Sequence, residues 1–89
     1  LSVSPARIEA TIFALLDARA PTATICPSDA ARALGADEAA WRALMPEVRQ
    51  VAAELVRAGR LRVTQQGDDV DALSAHGPVR LGRPKRAKD

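Results

Sequence analysis

The fold class predicted by this sequence is mainly α with a small antiparallel β-sheet: a winged helix-turn-helix of three helices plus a β-hairpin wing. Three observations predict it. The stretch 46–58 opens on Pro46, closes on Gly59, and joins Leu44 in an apolar stripe of Val48, Val51, Ala52 and Leu55 at helical spacing. Directly after the glycine, Leu61-Arg62-Val63-Thr64-Gln65 alternates as a half-buried strand does. A turn-rich segment then leads to Val79-Arg80-Leu81, whose period of two marks a second strand.

The first helix opens at Ser4-Pro5, an N-cap followed by a proline at the first helical position. Ile8, Ile12, Leu15 and Leu16 form its buried stripe, with Phe13 at the edge, and the helix ends near Arg19-Ala20, ahead of Pro21. Thr22 to Ile25 is short and β-prone, placed to pair with the wing. A second helix starts at Pro27-Ser28-Asp29, buries Ala30, Ala31 and Leu34 on one face, and stops at Gly35. So short a helix needs tertiary packing to persist, and its alanines let it lie close across the next helix.

Asp37 caps a further helical turn, Glu38 to Leu44, with Glu38 and Arg42 as a well-oriented i,i+4 pair. Met45 precedes a proline and is driven away from helical geometry, so a break is expected there. The alternative is one long helix kinked at Pro46. Past the first strand of the wing, Gln66 to Asp69 reads as a turn and Val70 to His76 as the extended wing tip. Gly77-Pro78 enters the last strand, where Val79 and Leu81 face the core and Arg80 faces out. Residues 1–81 are thus the expected domain, and 82–89 a basic tail too poor in apolar residues to order itself.

Composition narrows the class further. The chain has 89 residues, 47% hydrophobic but only 2% aromatic, so one core must come from helices packed closely on small side chains. No apolar run reaches the roughly 18 residues that a membrane helix needs, and a basic stretch followed by an apolar block, the mark of a secretory leader, is not seen. Cys26 stands alone, which fits a reducing, cytoplasmic setting. Residues 1–57 hold six basic and seven acidic side chains, whereas 58–89 hold seven and four, so the positive charge gathers at the C-terminal end. A polyanion is one partner such an end attracts.

Little in the chain favours catalysis. His76 and Cys26 are the sole members of their types and are far apart in sequence, so neither a metal site nor a nucleophile–base pair is expected. Cys26 is read as a small core residue and Ser28 as support for a helix start. Asp68, Asp69 and Asp71 lack the glycine and glutamate positions of a calcium loop and are read as a solvated turn. There is no glycine-rich phosphate loop. The expectation is a protein that is not an enzyme and takes no cofactor. Trp41, the one tryptophan, is assigned to the alanine-rich core in preference to an exposed anchor.

Binding chemistry is better represented. Arg49, Gln50 and Arg57 lie on or beside the face of the 46–58 helix opposite its apolar stripe, and Arg62 and Arg80 point outward from the wing. Arginine and glutamine pair bidentately with guanine and adenine edges, and Ala53 between them permits close approach. Glu47 and Glu54 on the flanks work against phosphate binding.

Several segments also carry a resemblance: 26–34 (Cys-Pro-Ser-Asp-Ala-Ala-Arg-Ala-Leu), 41–45 (Trp-Arg-Ala-Leu-Met), 48–52 (Val-Arg-Gln-Val-Ala) and 77–81 (Gly-Pro-Val-Arg-Leu). In order and spacing they resemble a family of small bacterial proteins known only as a domain of unknown function, over roughly residues 5 to 82. That resemblance implies a winged-helix-like fold and a bacterial, cytoplasmic origin, and no activity. The expected function is duplex DNA binding, with helix 46–58 in the major groove and the wing, 61–81, on phosphates or the minor groove. The alternative is a protein–protein interaction module that uses the same fold without nucleic acid.

Overall fold

The structure, a computed structural model, describes residues 3–84. Its elements are α1 (Pro5–Asp17), β1 (Thr24–Ile25), α2 (Pro27–Leu34), α3 (Glu38–Arg57), β2 (Arg62–Gln65), β3 (Asp68–Asp69) and β4 (Arg80–Gly82). Three helices and a four-stranded antiparallel sheet in the order β1-β4-β2-β3 make a winged-helix-like arrangement.

Local signals set the first two helices. The Ser4 hydroxyl accepts the Arg7 N–H at 3.2 Å, and Pro5 takes the first helical position. Ile8, Ile12 and Leu16 then recur on the buried face. The helix stops at Asp17, a turn's half short of the expected end, with Ala18 as its C-cap. In α2 the Cys26 N–H donates to Asp29 Oδ2 at 2.9 Å, so the acidic first-turn residue reaches back to satisfy the helix start. Ala30 and Ala31 are buried without residue. Gly35 ends α2 for a packing reason: a Cβ there would lie 2.5 Å from the backbone nitrogen of Trp41. Only glycine lets the end of α2 approach the start of α3 this closely.

The break expected at Met45-Pro46 does not occur. Helix α3 runs unbroken for 20 residues with Pro46 inside it, capped by Asp37, whose carboxylate accepts the Ala40 N–H at 2.9 Å. The long-helix alternative is the correct one. Proline removes one hydrogen bond to the carbonyl of Arg42, but Pro46 and Arg42 are both exposed, so water can serve that carbonyl. Leu44, on one side of the proline, and Val48, Val51, Ala52 and Leu55, on the other, share one buried stripe. Packing of that stripe outweighs the local preference. At the far end the N–H of Arg60 donates to Leu55 O at 2.9 Å and that of Gly59 to Val56 O at 3.0 Å, with Gly59 at φ 76. This is the double bond of a Schellman stop, and it turns the chain straight into β2.

In the sheet Val63 stands opposite Leu81, and Ile25 is on the other side of Leu81. These three and Leu61 and Val79 are buried, as the alternation predicts. Arg62, Thr64, Arg80, Gly82 and Thr24 fall on the opposite face by the same alternation. The wing differs from expectation in two ways. Asp68 and Asp69 are paired with Gln65 and Thr64 as a strand, and the reversal is only Gln66-Gly67, both at positive φ (53 and 89). Residues 70–79 then form no extended tip. They fold back over α3 and bury Ala72 and Val79 before β4 enters between β1 and β2. Strand β4 includes Gly82, one residue past the expected domain end, and Arg83 pairs with Asp17. Residues 85–89 of the expected tail lie outside the described residues.

Candidate interaction surface

The returning loop decides what α3 can offer. Asp71 shapes it: its carboxylate accepts the Leu73 N–H at 2.9 Å and its carbonyl the Ala75 N–H at 2.9 Å. Arg49 fastens it. Its Nη1 donates to Ala72 O at 3.0 Å and Ala75 O at 3.1 Å, and its Nη2 to Gly77 O at 2.8 Å. Gln65 completes the attachment by donating to His76 O at 2.6 Å and Pro78 O at 3.0 Å. Under this cover Ala53 is only 6% exposed. Ala53 therefore lies in the core and not on an open face, because Ala72 and Val70 of the loop are packed beside it.

The five residues expected to read nucleic acid separate accordingly. Arg49 is half-buried and spends its guanidinium on backbone carbonyls. Arg80 faces outward but turns along the sheet, donating from Nε to Thr24 Oγ1 at 2.8 Å and from Nη2 to Thr24 O at 2.9 Å, with Nη1 against the Cys26 sulfur. Arg62 meets Asp69 Oδ1 through Nε at 2.5 Å. Gln50 is exposed, and its amide donates to Glu54 Oε2 at 3.1 Å. Arg57 is exposed and has no hydrogen-bond or ion-pair partner among the described residues. The structure thus brings Gln50 and Arg57 onto one strip of α3, and places Arg49, Arg62 and Arg80 elsewhere.

That strip comprises Ala43, Pro46, Gln50, Glu54 and Arg57, all exposed, with half-buried Glu47 alongside. Two carboxylates and one guanidinium make it slightly acidic. Cation-rich spots occur on other faces. Trp41 is only partly buried, packed against the core and not within it as expected, and Arg32 and Arg42 stack on its ring at 4.6 and 4.9 Å from the centroid. Arg42 is also bridged to Glu38 at 2.7 Å. Arg32 escaped the sequence reading because its stacking partner lies beyond Gly35, on another helix. At the opposite end, Arg60 meets Glu9 at 2.7 Å and covers the Phe13 ring at 5.0 Å, tying the end of α3 to α1.

Cys26 is a free cysteine, half-buried at the N-cap of α2 and not fully within the core. No group of three metal-ligating side chains is present among the described residues. Nor, among them, is any helix long and apolar enough to cross a membrane.

A short helical body with an antiparallel sheet folded against α3 defines the class: a winged-helix-like domain with a covered third helix. Residues 5–84 match the family model described as a protein of unknown function (DUF3253), and the chain belongs to that family. No curated protein matches the sequence.

Proposed function

We propose that this domain is a protein-interaction module that offers the outer strip of α3 to a partner presenting basic side chains. The observation that carries this reading is the charge of the strip: Glu47 and Glu54 flank Gln50, whose amide is already given to Glu54. A helix entering the major groove sits between two rows of phosphates, where carboxylates are repelled. Cationic side chains on a protein partner would meet the same carboxylates favourably, and Ala43 and Pro46 leave the neighbouring surface low enough for close approach. Cys26, free and lacking a disulfide partner, is in keeping with a cytoplasmic setting, and the family resemblance with a bacterial one.

Duplex DNA binding is the second reading. It is favoured by the exposed Arg57, which has no partner among the described residues, and by the five basic residues against one acidic among Arg80 to Asp89. Two measurements separate the readings. Fluorescence anisotropy with random duplex at about 50 mM salt should give no binding tighter than millimolar if the strip serves protein. A photo-crosslinking residue at position 50 should trap a discrete protein partner in cells, and the product should disappear when Glu47 and Glu54 become lysines. Micromolar duplex affinity that weakens on Arg57→Ala and falls with salt would overturn the protein reading and restore the DNA one.

A further inference from the structure

We infer that the outer face of the sheet holds a binding site for a small organic anion, one with an oxyanion head and an apolar body. The site is a groove of about 580 Å³ that lies over Gly82, within the roughly 300–1,000 Å³ typical of small-molecule sites. It shares no residue with the outer strip of α3, so it stands or falls apart from the proposed function.

The register builds the groove. Gly82 sits between Thr24 and Arg62 in adjacent strands, so a position without a side chain runs between two that have them. A Cβ at Gly82 would come within 2.9 Å of the Thr24 methyl, so the floor stays at backbone level. Arg62 and Thr64 rise on the β2 side, Thr22 on the β1 side, and Arg83 at the end. Pro21, Ala23 and Pro84 supply the apolar part of the wall.

The donor set selects the charge of the ligand. Among the described residues, two guanidiniums line the groove and no carboxylate does. Each arginine has one nitrogen engaged at the periphery: Arg62 Nε with Asp69, and Arg83 Nη2 with Asp17. Their remaining N–H groups have no protein partner among the described residues. Asp69 and Asp17 are 72% and 68% exposed, and exposed pairs of this kind hold weakly enough to be exchanged for a ligand. The hydroxyls of Thr22 and Thr64 have no hydrogen-bond partner among the described residues either. Guanidiniums bind carboxylate and phosphate oxygens bidentately. A donor-rich, acceptor-poor groove with a proline wall therefore takes an anion that carries a hydrophobic portion.

Titration of the full chain with phenyl phosphate, benzoate and inorganic phosphate, followed by amide NMR shifts, tests the site and separates the head groups. Saturable shifts confined to residues 21–24, 62–64 and 82–84 are expected for at least one organic anion, with inorganic phosphate at least tenfold weaker. Arg62→Gln should weaken that binding tenfold or more. Thr22→Glu, at an exposed turn position with no bond to lose, should abolish it while leaving both arginines and the melting temperature in place. Arg57→Gln should have no effect. Shifts that never saturate, that spread over all the arginines alike, or that survive Thr22→Glu would overturn the assignment.

Discussion

The guanidinium of Arg49 donates to the carbonyl oxygen of Gly77 at 2.8 Å, across 28 residues of chain, and holds the wing loop against α3. Its other bonds, to Ala72 O and Ala75 O, make it the main fastening of residues 70–78. Arg49→Ala should therefore cost about 2–3 kcal/mol, the range for bonds from a charged donor to partly buried acceptors. A fall of roughly 8–20 °C in melting temperature follows for a domain of this size. Amide exchange should accelerate at 72–77 before it does so in α1. An unchanged melting temperature would mean that Arg49 is the free surface residue its place in the sequence suggests.

Pro46 makes the opposite prediction. It interrupts the hydrogen bonding of α3 at an exposed position, with its neighbours already in helical geometry. Pro46→Ala restores an N–H for the Arg42 carbonyl and removes a penalty of about 3 kcal/mol for proline in a helix interior. The freer unfolded chain takes back up to about 1 kcal/mol. A net gain of about 2–3 kcal/mol in urea unfolding is expected. A loss would show that the proline is needed for the path of α3 across α2.

What the sequence disclosed and what it withheld divide along the range of the interactions. Ser4, Asp29, Asp37 and Gly59 act on backbone within a few residues of themselves, and each sits where its local chemistry places it. That Val63 and Leu81 would share the buried face of an antiparallel pair was legible, because period two sets the facing of both strands; which residue stands opposite which was not. Pro46 misled because a dipeptide preference was set against a stripe that spans the whole helix. The covering loop was hidden for a different reason: Val70 to His76 has no period, and the arginine that fixes it lies on a helix more than 20 residues earlier. Arg80 was hidden in the same way, since its partners at Thr24 and Cys26 are 56 and 54 residues away. An arginine on an outward face looks alike in sequence whether it waits for a phosphate or is bonded to its own backbone. For that reason the fold could be read more fully than the surface.

Gly35 offers a test of packing with no change of charge. Its backbone is in an extended conformation that any residue can adopt (φ −91), so the obstacle to an added methyl is steric: its nearest neighbours would be the Trp41 N, Cα and Cβ, at 2.5 to 2.8 Å. Backbone cannot yield as a flexible side chain does. Gly35→Ala should cost about 1–3 kcal/mol through overpacking, and it should change Trp41 fluorescence because the indole must shift with α3. Gly59→Ala is the contrasting case. It meets nothing within 4 Å and loses only the left-handed preference, about 1 kcal/mol, with no change in the emission of Trp41.

Arg80 completes the set, because its two possible roles have separable signatures. In the structure it joins the middle of the sheet to β1 through Thr24 and reaches the start of α2 at Cys26. A side chain used in this way contributes to stability: Arg80→Ala should cost about 1–2 kcal/mol, less than Arg49→Ala, because Arg80 is exposed and water can replace its bonds. Arg80→Lys should recover only part of the loss, since one ammonium cannot span the hydroxyl, the carbonyl and the sulfur together. Hydrogen exchange at Ile25 should rise in both variants. A phosphate-contacting arginine behaves otherwise: its removal leaves folding untouched and lowers the salt dependence of duplex affinity by about one unit. An Arg80→Ala protein that melts as the wild type does while losing salt-sensitive DNA affinity would return Arg80 to the wing's outer surface.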